Sequence, residues 1–289
     1  MRRVLRSAVT LAFFSILATA ALAQQTAAPQ APPPLPAGTT DGFFKTSDGV
    51  NIHYLLAGSS GSWVVLIHGY SDSAQRMWFT TGIAPEIATH HRVVALDNRN
   101  HGRSDKPQPG GSGRAQDTVE LMDHLKIEKA HIHGYSMGGG IVGQLLGMIP
   151  DRFITAGFGG SGMTETDDKF RAEAAALDDA LPKATGKDAE GMARFRARVA
   201  AARPAGSVPV SAERGPSVDL STLTIPILAV NGSFDNPYAK THRLWREART
   251  FQNVILPEKT HLTAIAAGAP PSQQYIDVIS KFIDMYDTK

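Results

Sequence analysis

The pentapeptide Gly-Tyr-Ser-Met-Gly at residues 134–138 restricts the fold of this chain more than any other feature. An apolar segment, Ala130 to His133, leads directly into it, and a run of small and apolar residues, Gly139 to Met148, follows it. A serine between a strand and a helix occupies a sharp, strained turn, so its neighbours must be small enough for the two elements to approach each other. Because such a turn lifts the serine Oγ clear of the sheet, we predict that Ser136 is a nucleophile.

A serine hydroxyl is a poor nucleophile until a base removes its proton, and the base needs a carboxylate that fixes its tautomer. Asp235 follows the strand predicted over Ile225 to Val230, and His261 follows the strand predicted to end at Leu256. Each residue alone is weak evidence, since an aspartate after a strand is often a turn residue. The order Ser, Asp, His along the chain is specific, and it predicts a catalytic triad of Ser136, Asp235 and His261.

The segment His68-Gly69-Tyr70 closes another buried strand, Trp63 to Ile67. We predict that the backbone N–H groups of Tyr70 and Met137 form the oxyanion hole. The side chain of His68 is expected to be structural, with its ring nitrogens satisfied by backbone groups of neighbouring loops.

Beyond about residue 41, strand-like and helix-like segments alternate, which is typical of a mostly parallel sheet with helices on both faces. The predicted strands are Val50 to Leu56, Trp63 to Ile67, Val93 to Leu96, Ala130 to His133, Ile154 to Phe158, Ile225 to Val230 and Asn253 to Leu256. The predicted helices are Asp117 to Leu125, Gly139 to Met148 and Gln273 to Tyr286. We therefore expect one α/β domain over residues 41–289.

Residues 162–220 have no comparable apolar strand. Two helical stripes lie there, one including Phe170 and Leu181 with Thr164 placed to cap it, the other including Met192 and Phe195. We interpret them as a helical lid inserted in the domain, with ordinary crossover helices of the sheet as the alternative.

The first 23 residues have the pattern of a secretory signal peptide: early arginines, an apolar run from Ala8 to Leu22, and a small-x-small site ending at Ala23. The apolar run is shorter than the roughly 20 residues of a spanning helix, so we expect cleavage and no stable membrane insertion. Residues 24–40, rich in proline and alanine, predict a disordered tether. The sequence thus predicts a periplasmic or secreted protein.

Composition excludes several kinds of site. Three of the 29 basic residues lie in the leader, which leaves 26 against 27 acidic residues, too little positive charge to favour nucleic acid. The chain has no cysteine, so it has neither disulfides nor thiolate ligands. His131 and His133 alternate along one strand but lack carboxylate partners, and no Lys-Ser or Lys-Thr pair follows the glycines at 138–140, so we expect no metal and no cofactor.

Together these motifs resemble the α/β-hydrolase superfamily, in the branch with a lid after the sixth strand. Residues 97–104 are similar to that branch's D-x-R-G-x-G-x-S loop, with Asn100 at the usual glycine and Thr260 where a glycine commonly precedes the histidine. The resemblance covers about residues 42–286 and implies an eight-stranded, mostly parallel sheet and hydrolysis through an acyl-enzyme. It argues against dehalogenases and epoxide hydrolases of this branch, because those use an aspartate where this chain has Ser136.

We therefore expect a serine hydrolase that acts on small-molecule esters, most simply a carboxylesterase. The alternatives are another triad reaction, namely an aminopeptidase, a carbon–carbon bond hydrolase, a lactonase or a perhydrolase, or a catalytically silent binding protein. Trp78, Phe79 and Phe158, with Met137, are candidate walls of the acyl pocket, although aromatic residues near apolar strands are more often core.

Overall fold

The structure, a computed structural model, describes residues 34–107, 113–202, 218–265 and 273–287. One eight-stranded sheet contains β1 (Thr40–Lys45), β2 (Asn51–Ala57), β3 (Trp63–Ile67), β4 (Arg92–Leu96), β5 (Ala130–Tyr135), β6 (Phe153–Gly159), β7 (Ile227–Gly232) and β8 (Phe251–Leu256). The strand order across the sheet is β1-β2-β4-β3-β5-β6-β7-β8. Strand β2 is antiparallel to β1 and β4, and the other neighbouring pairs are parallel.

The helices are α1 (Ile83–Ile87), α2 (Arg114–His124), α3 (Met137–Met148), α4 (Asp168–Asp179), α5 (Gly186–Ala202), α6 (Pro237–Glu247) and α7 (Gln273–Tyr286). A π-helical turn spans Gln75–Phe79, and short 3₁₀ turns span Pro150–Arg152 and Leu220–Thr222. Among the described residues, none of the helices is both long and apolar enough to cross a bilayer.

Helices cover both faces of the sheet, so its central strands are buried on both sides. Val65 and Ile67 of β3 pack in a hydrophobic cluster with α2 and α3, whereas Val64 and Leu66 pack in a second cluster with α1 and α7. This is the physical reason why the central strands are continuous apolar runs rather than alternating ones.

The structure confirms the predicted mostly parallel sheet of eight strands with helices on both faces. Strand β3 and helix α7 have the predicted bounds, and the other predicted strands and helices differ by a few residues at their ends. Strand β1 and helices α1 and α6 were not predicted from the sequence. The predicted lid segment contains α4 and α5, and its residues 203–217 lie outside the described ranges.

Two local predictions are corrected. Thr164 does not cap the first lid helix; Asp167 does, its side chain accepting a hydrogen bond from the Lys169 N–H at 2.8 Å. The tether predicted to reach residue 40 ends earlier, because Leu35 packs against the hydrophobic core and Thr40 begins β1. The predicted signal peptide at residues 1–23, its cleavage after Ala23, and the tether up to residue 33 lie outside the described residues.

Candidate active site

Ser136 lies in the turn between β5 and α3. Its φ of 54° and ψ of −112° place it in a strained region that costs about 1–3 kcal/mol for a residue with a side chain. A Cβ at Gly134 would come within 2.2 Å of the Gly138 carbonyl oxygen, and one at Gly138 within 2.0 Å of the Ile67 carbonyl oxygen. Glycine at both positions therefore lets the helix pack closely against β5 and β3 and holds the turn.

The three residues of the predicted triad are brought together at the carboxyl edge of the sheet. Ser136 Oγ lies 2.8 Å from His261 Nε2, and His261 Nδ1 lies 2.8 Å from Asp235 Oδ2. Asp235 follows β7 and His261 follows β8, so each side chain is presented by a loop whose start is fixed by a strand of the sheet. With the imidazole neutral, Nδ1–H donates to the carboxylate and Nε2 accepts from the serine hydroxyl.

Asp235 remains ionised although it is largely buried. Burial opposes ionisation, but the hydrogen bond from His261 and the charge of Lys240 outweigh it and keep the pKa of this carboxyl below its usual value. The carboxylate is thus able to orient the imidazole at neutral pH. Lys240, in α6, was not identified from the sequence.

Tyr135 and Gly160 lie against the loop that carries His261. The Tyr135 hydroxyl donates a hydrogen bond of 2.6 Å to the His261 carbonyl oxygen, and the two rings lie 5.4 Å apart. A Cβ at Gly160, where φ is +53°, would come within 3.0 Å of His261 Cε1. From the side of helix α5, the ring of Phe195 lies 5.7 Å from the imidazole.

The segment that carries Tyr70 lies directly beside the serine turn. A Cβ at Gly69 would come 3.3 Å from Ser136 Cβ and 3.3 Å from the Tyr135 carbonyl oxygen. Met137 follows the serine as the first residue of α3. Both predicted donors therefore come from segments next to Ser136, one of them at a helix N-terminus, where partial positive charge favours an oxyanion.

The model of the family described as "alpha/beta hydrolase fold" matches residues 62–256. The chain belongs to the alpha/beta hydrolase family.

Individual relatives match this alpha/beta hydrolase over shorter segments. It is 39% identical over 99 residues to the dihydrolipoyllysine-residue acetyltransferase component of the acetoin cleaving system of Pseudomonas putida, covering 34% of this chain and 26% of that protein. It is 34% identical over 94 residues to the esterase YbfF of Escherichia coli strain K12, covering 32% of this chain and 36% of the esterase. The chain thus spans about a quarter to a third of the length of these curated relatives.

Solved structures share its fold over most of their length. A thermophilic esterase from Thermogutta terrifontis superposes with a TM-score of 0.62 at 20% identity, covering 86% of this chain and 100% of the esterase.

The loop after β4 accommodates Asn100, which stands where the family loop usually has a glycine. Asn100 has a φ of 70°, and asparagine tolerates this left-handed conformation better than most residues.

His68 of the hydrolase has the structural role expected from the sequence. It is fully buried, its Nε2 accepts from the Asn98 N–H at 3.0 Å, and its Nδ1 donates to the Gly69 carbonyl at 2.7 Å. Burial lowers the pKa of His68, so its ring is neutral and holds the loops on either side of the oxyanion segment together.

The residues predicted as pocket walls do not form one wall. Trp78 and Phe79 are buried in the cluster with α1 and α7, whereas Phe158 is buried with α3 in the cluster on the opposite face of the sheet. The sequence could not show on which face each side chain lies. Phe195, predicted only as part of a lid stripe, brings a second aromatic ring near His261, in addition to that of Tyr135.

His131 and His133 have polar partners within the core. His131 Nδ1 lies 2.9 Å from Thr155 Oγ1, and His133 Nε2 lies 2.7 Å from the Tyr275 hydroxyl. Burial lowers the pKa of His133 to about 3, so it is neutral. Throughout the part of the chain that the structure describes, no three histidine, aspartate or glutamate side chains are arranged to hold a metal ion.

Proposed function

We propose that this hydrolase cleaves carboxylic esters through an acyl-enzyme on Ser136. The observation that carries the proposal is the continuous contact from Ser136 Oγ through the His261 ring to Asp235, 2.8 Å at each step. This arrangement supplies a nucleophile, a base and a group that orients the base, which is what acyl transfer needs.

His261 Nε2 takes the hydroxyl proton as Ser136 Oγ attacks the ester carbonyl carbon. The N–H groups of Tyr70 and Met137 stabilise the oxyanion that forms, and Asp235 stabilises the imidazolium. The C–O bond to the leaving group then breaks, and His261 gives its proton to the departing alkoxide. A water molecule, activated by the same imidazole, hydrolyses the acyl-enzyme and restores Ser136.

The lid helices favour small or medium esters over lipids. In α4, only Ala174 and Asp178 are buried, and the other side chains, many of them charged, contact solvent wholly or in part. Leu177 is its exposed large apolar residue, at 43% exposure. Isolated apolar side chains among charges do not make the broad apolar patch that adsorption to a lipid interface requires. The similarity to the esterase of Escherichia coli also supports an ester substrate.

The test is a panel of p-nitrophenyl acetate, butyrate, octanoate and laurate beside amino-acid p-nitroanilides. We expect turnover of the acetate and butyrate, weak turnover of the laurate, and a loss of about a thousandfold or more in Ser136→Ala. Cleavage of the anilides without the esters would replace the esterase by an aminopeptidase. A folded wild-type protein that turns over no substrate and resists active-site acylation would support a binding protein instead.

A further inference from the structure

Lys240 places its positive charge next to Asp235, the predicted acid of the triad. It lies in α6, which begins two residues after Asp235. Its Nζ is 2.5 Å from Asp235 Oδ2, the same oxygen that faces His261 Nδ1 at 2.8 Å. One carboxylate oxygen therefore serves two cationic or proton-bearing partners, and the ammonium is the closer of the two.

The contact is shielded from water. The Lys240 nitrogen has essentially no solvent-accessible surface, although part of its aliphatic chain is exposed. Burial lowers the pKa of Lys240, and the neighbouring charge of Asp235 opposes that effect. The nitrogen thus acts on Asp235 mainly as a point charge in a site where water screens little.

Two further charges reach Lys240 from the lid helices. Asp178 of α4 favours the ammonium, and Arg196 of α5 disfavours it. The Asp178 carboxylate also accepts hydrogen bonds from the Tyr238 and Ala239 N–H groups at 2.9 and 2.8 Å, so much of its charge is already compensated by the start of α6. Asp235 is therefore the partner on which the charge of Lys240 acts most strongly.

We propose that Lys240 is a positioning residue that tunes the triad through Asp235, an inference that rests on the proposed function. Its ammonium holds Oδ2 in place for the His261 Nδ1–H and neutralises part of the carboxylate charge. Less of that charge is then available to stabilise the protonated imidazole. The acidic limb of the pH–activity profile should consequently lie at lower pH than for the same triad without the lysine.

The experiment compares the pH dependence of kcat/KM for wild type and Lys240→Met, which keeps the unbranched chain as far as its fourth atom and removes the charged nitrogen. We expect the acidic limb of the profile to move up by about one pH unit, with the plateau reduced less than about tenfold. Lys281→Met, an exposed lysine of α7, is the matched control and should leave the profile unchanged. Lys240→Arg, which keeps the charge, should retain the wild-type limb.

Superimposed acidic limbs for wild type and folded Lys240→Met would overturn the inference, whatever the change in melting temperature. If Lys240→Met does not fold, Lys240→Gln serves, since its amide is neutral but still polar. In an Asp235→Asn background, removing the lysine charge should no longer shift the limb; an undiminished shift there would show that Lys240 does not act through Asp235. A wild type without any ester hydrolysis would instead defeat the proposed function itself.

Discussion

The carboxyl edge of the sheet and the pair of lid helices differ in what holds them. Every residue of β5 and β7 is buried, and the loops that carry Ser136 and Asp235 start from these strands. Helix α4 of the lid buries only Ala174 and Asp178. Part of its attachment to α6 is polar, through Asp178 at the N-terminus of that helix.

Because of this difference, we expect the sheet edge to determine the reaction chemistry and the lid to determine which substrates bind. The positions of the predicted nucleophile and acid depend on a packed core that tolerates little displacement. Helix α4 of the lid buries few side chains, so we expect the lid to shift at a lower free energy than global unfolding. We therefore expect substitutions at the sheet edge to affect stability or kcat, and substitutions at the lid attachment to affect KM.

The largest stability effect is expected at Asp97, which follows β4 and connects neighbouring segments through hydrogen bonds. Its carboxylate accepts hydrogen bonds from the Ala74 N–H, the Arg103 N–H and His53 Nδ1, at 2.7 to 2.8 Å. Whichever way its amide is turned, Asp97→Asn places an NH2 group against at least one of these donors, so we expect the unfolding free energy at pH 7 to fall by about 2–3 kcal/mol. Urea unfolding measures this loss, and Asp105→Asn at an exposed site of the same loop should lose less than about 1 kcal/mol.

The loss of unfolding free energy in Asp97→Asn should depend on pH. Burial of Asp97 opposes ionisation, but its hydrogen bonds, first that from His53, lower its pKa from 3.8 to about 2. A depressed folded pKa gives stability that is fully present above pH 3.8 and is lost as the pH falls toward 2. The difference in unfolding free energy between wild type and Asp97→Asn should therefore become smaller below about pH 4. A difference that stays constant would mean that the carboxylate charge is not what stabilises the loop.

A smaller effect is expected at the lid attachment. Asp178→Ala removes the acceptor for the Tyr238 and Ala239 N–H groups, which costs about 1 kcal/mol. If the lid positions the substrate, KM should rise about fivefold while kcat changes less than about twofold. Asp179→Ala, whose side chain is 84% exposed, is the neighbouring control. A fall in kcat with KM unchanged would show that Asp178 supports the triad rather than the lid.

The sequence predicted the parts of this molecule that are set by local pattern. Strand β3 is a continuous apolar run, and α7 has a helical apolar stripe, so both could be located from the chain alone. The order of Ser136, Asp235 and His261 placed them at strand ends that a parallel sheet brings to one edge. Strand β1 was missed because only Phe44 of its six residues is buried, which leaves little apolar alternation.

The parts that depend on three-dimensional contacts could not be read from the sequence. Nothing in the sequence distinguishes Lys240 from other lysines, because its contact with Asp235 depends on where α6 packs. Trp78 and Phe158 were both predicted as walls of the acyl pocket, but they belong to opposite faces of the sheet. Periodicity identifies which side chains are buried without identifying the layer that they enter.

The most direct test of the central claim, that His261 and Asp235 activate the Ser136 hydroxyl, is labelling with a fluorophosphonate followed by peptide mapping. Wild type should carry one adduct, on Ser136. Ser136→Ala should carry none, and His261→Ala should be labelled about a thousandfold or more slowly. An adduct on another residue, or an unchanged labelling rate in His261→Ala, would contradict the account.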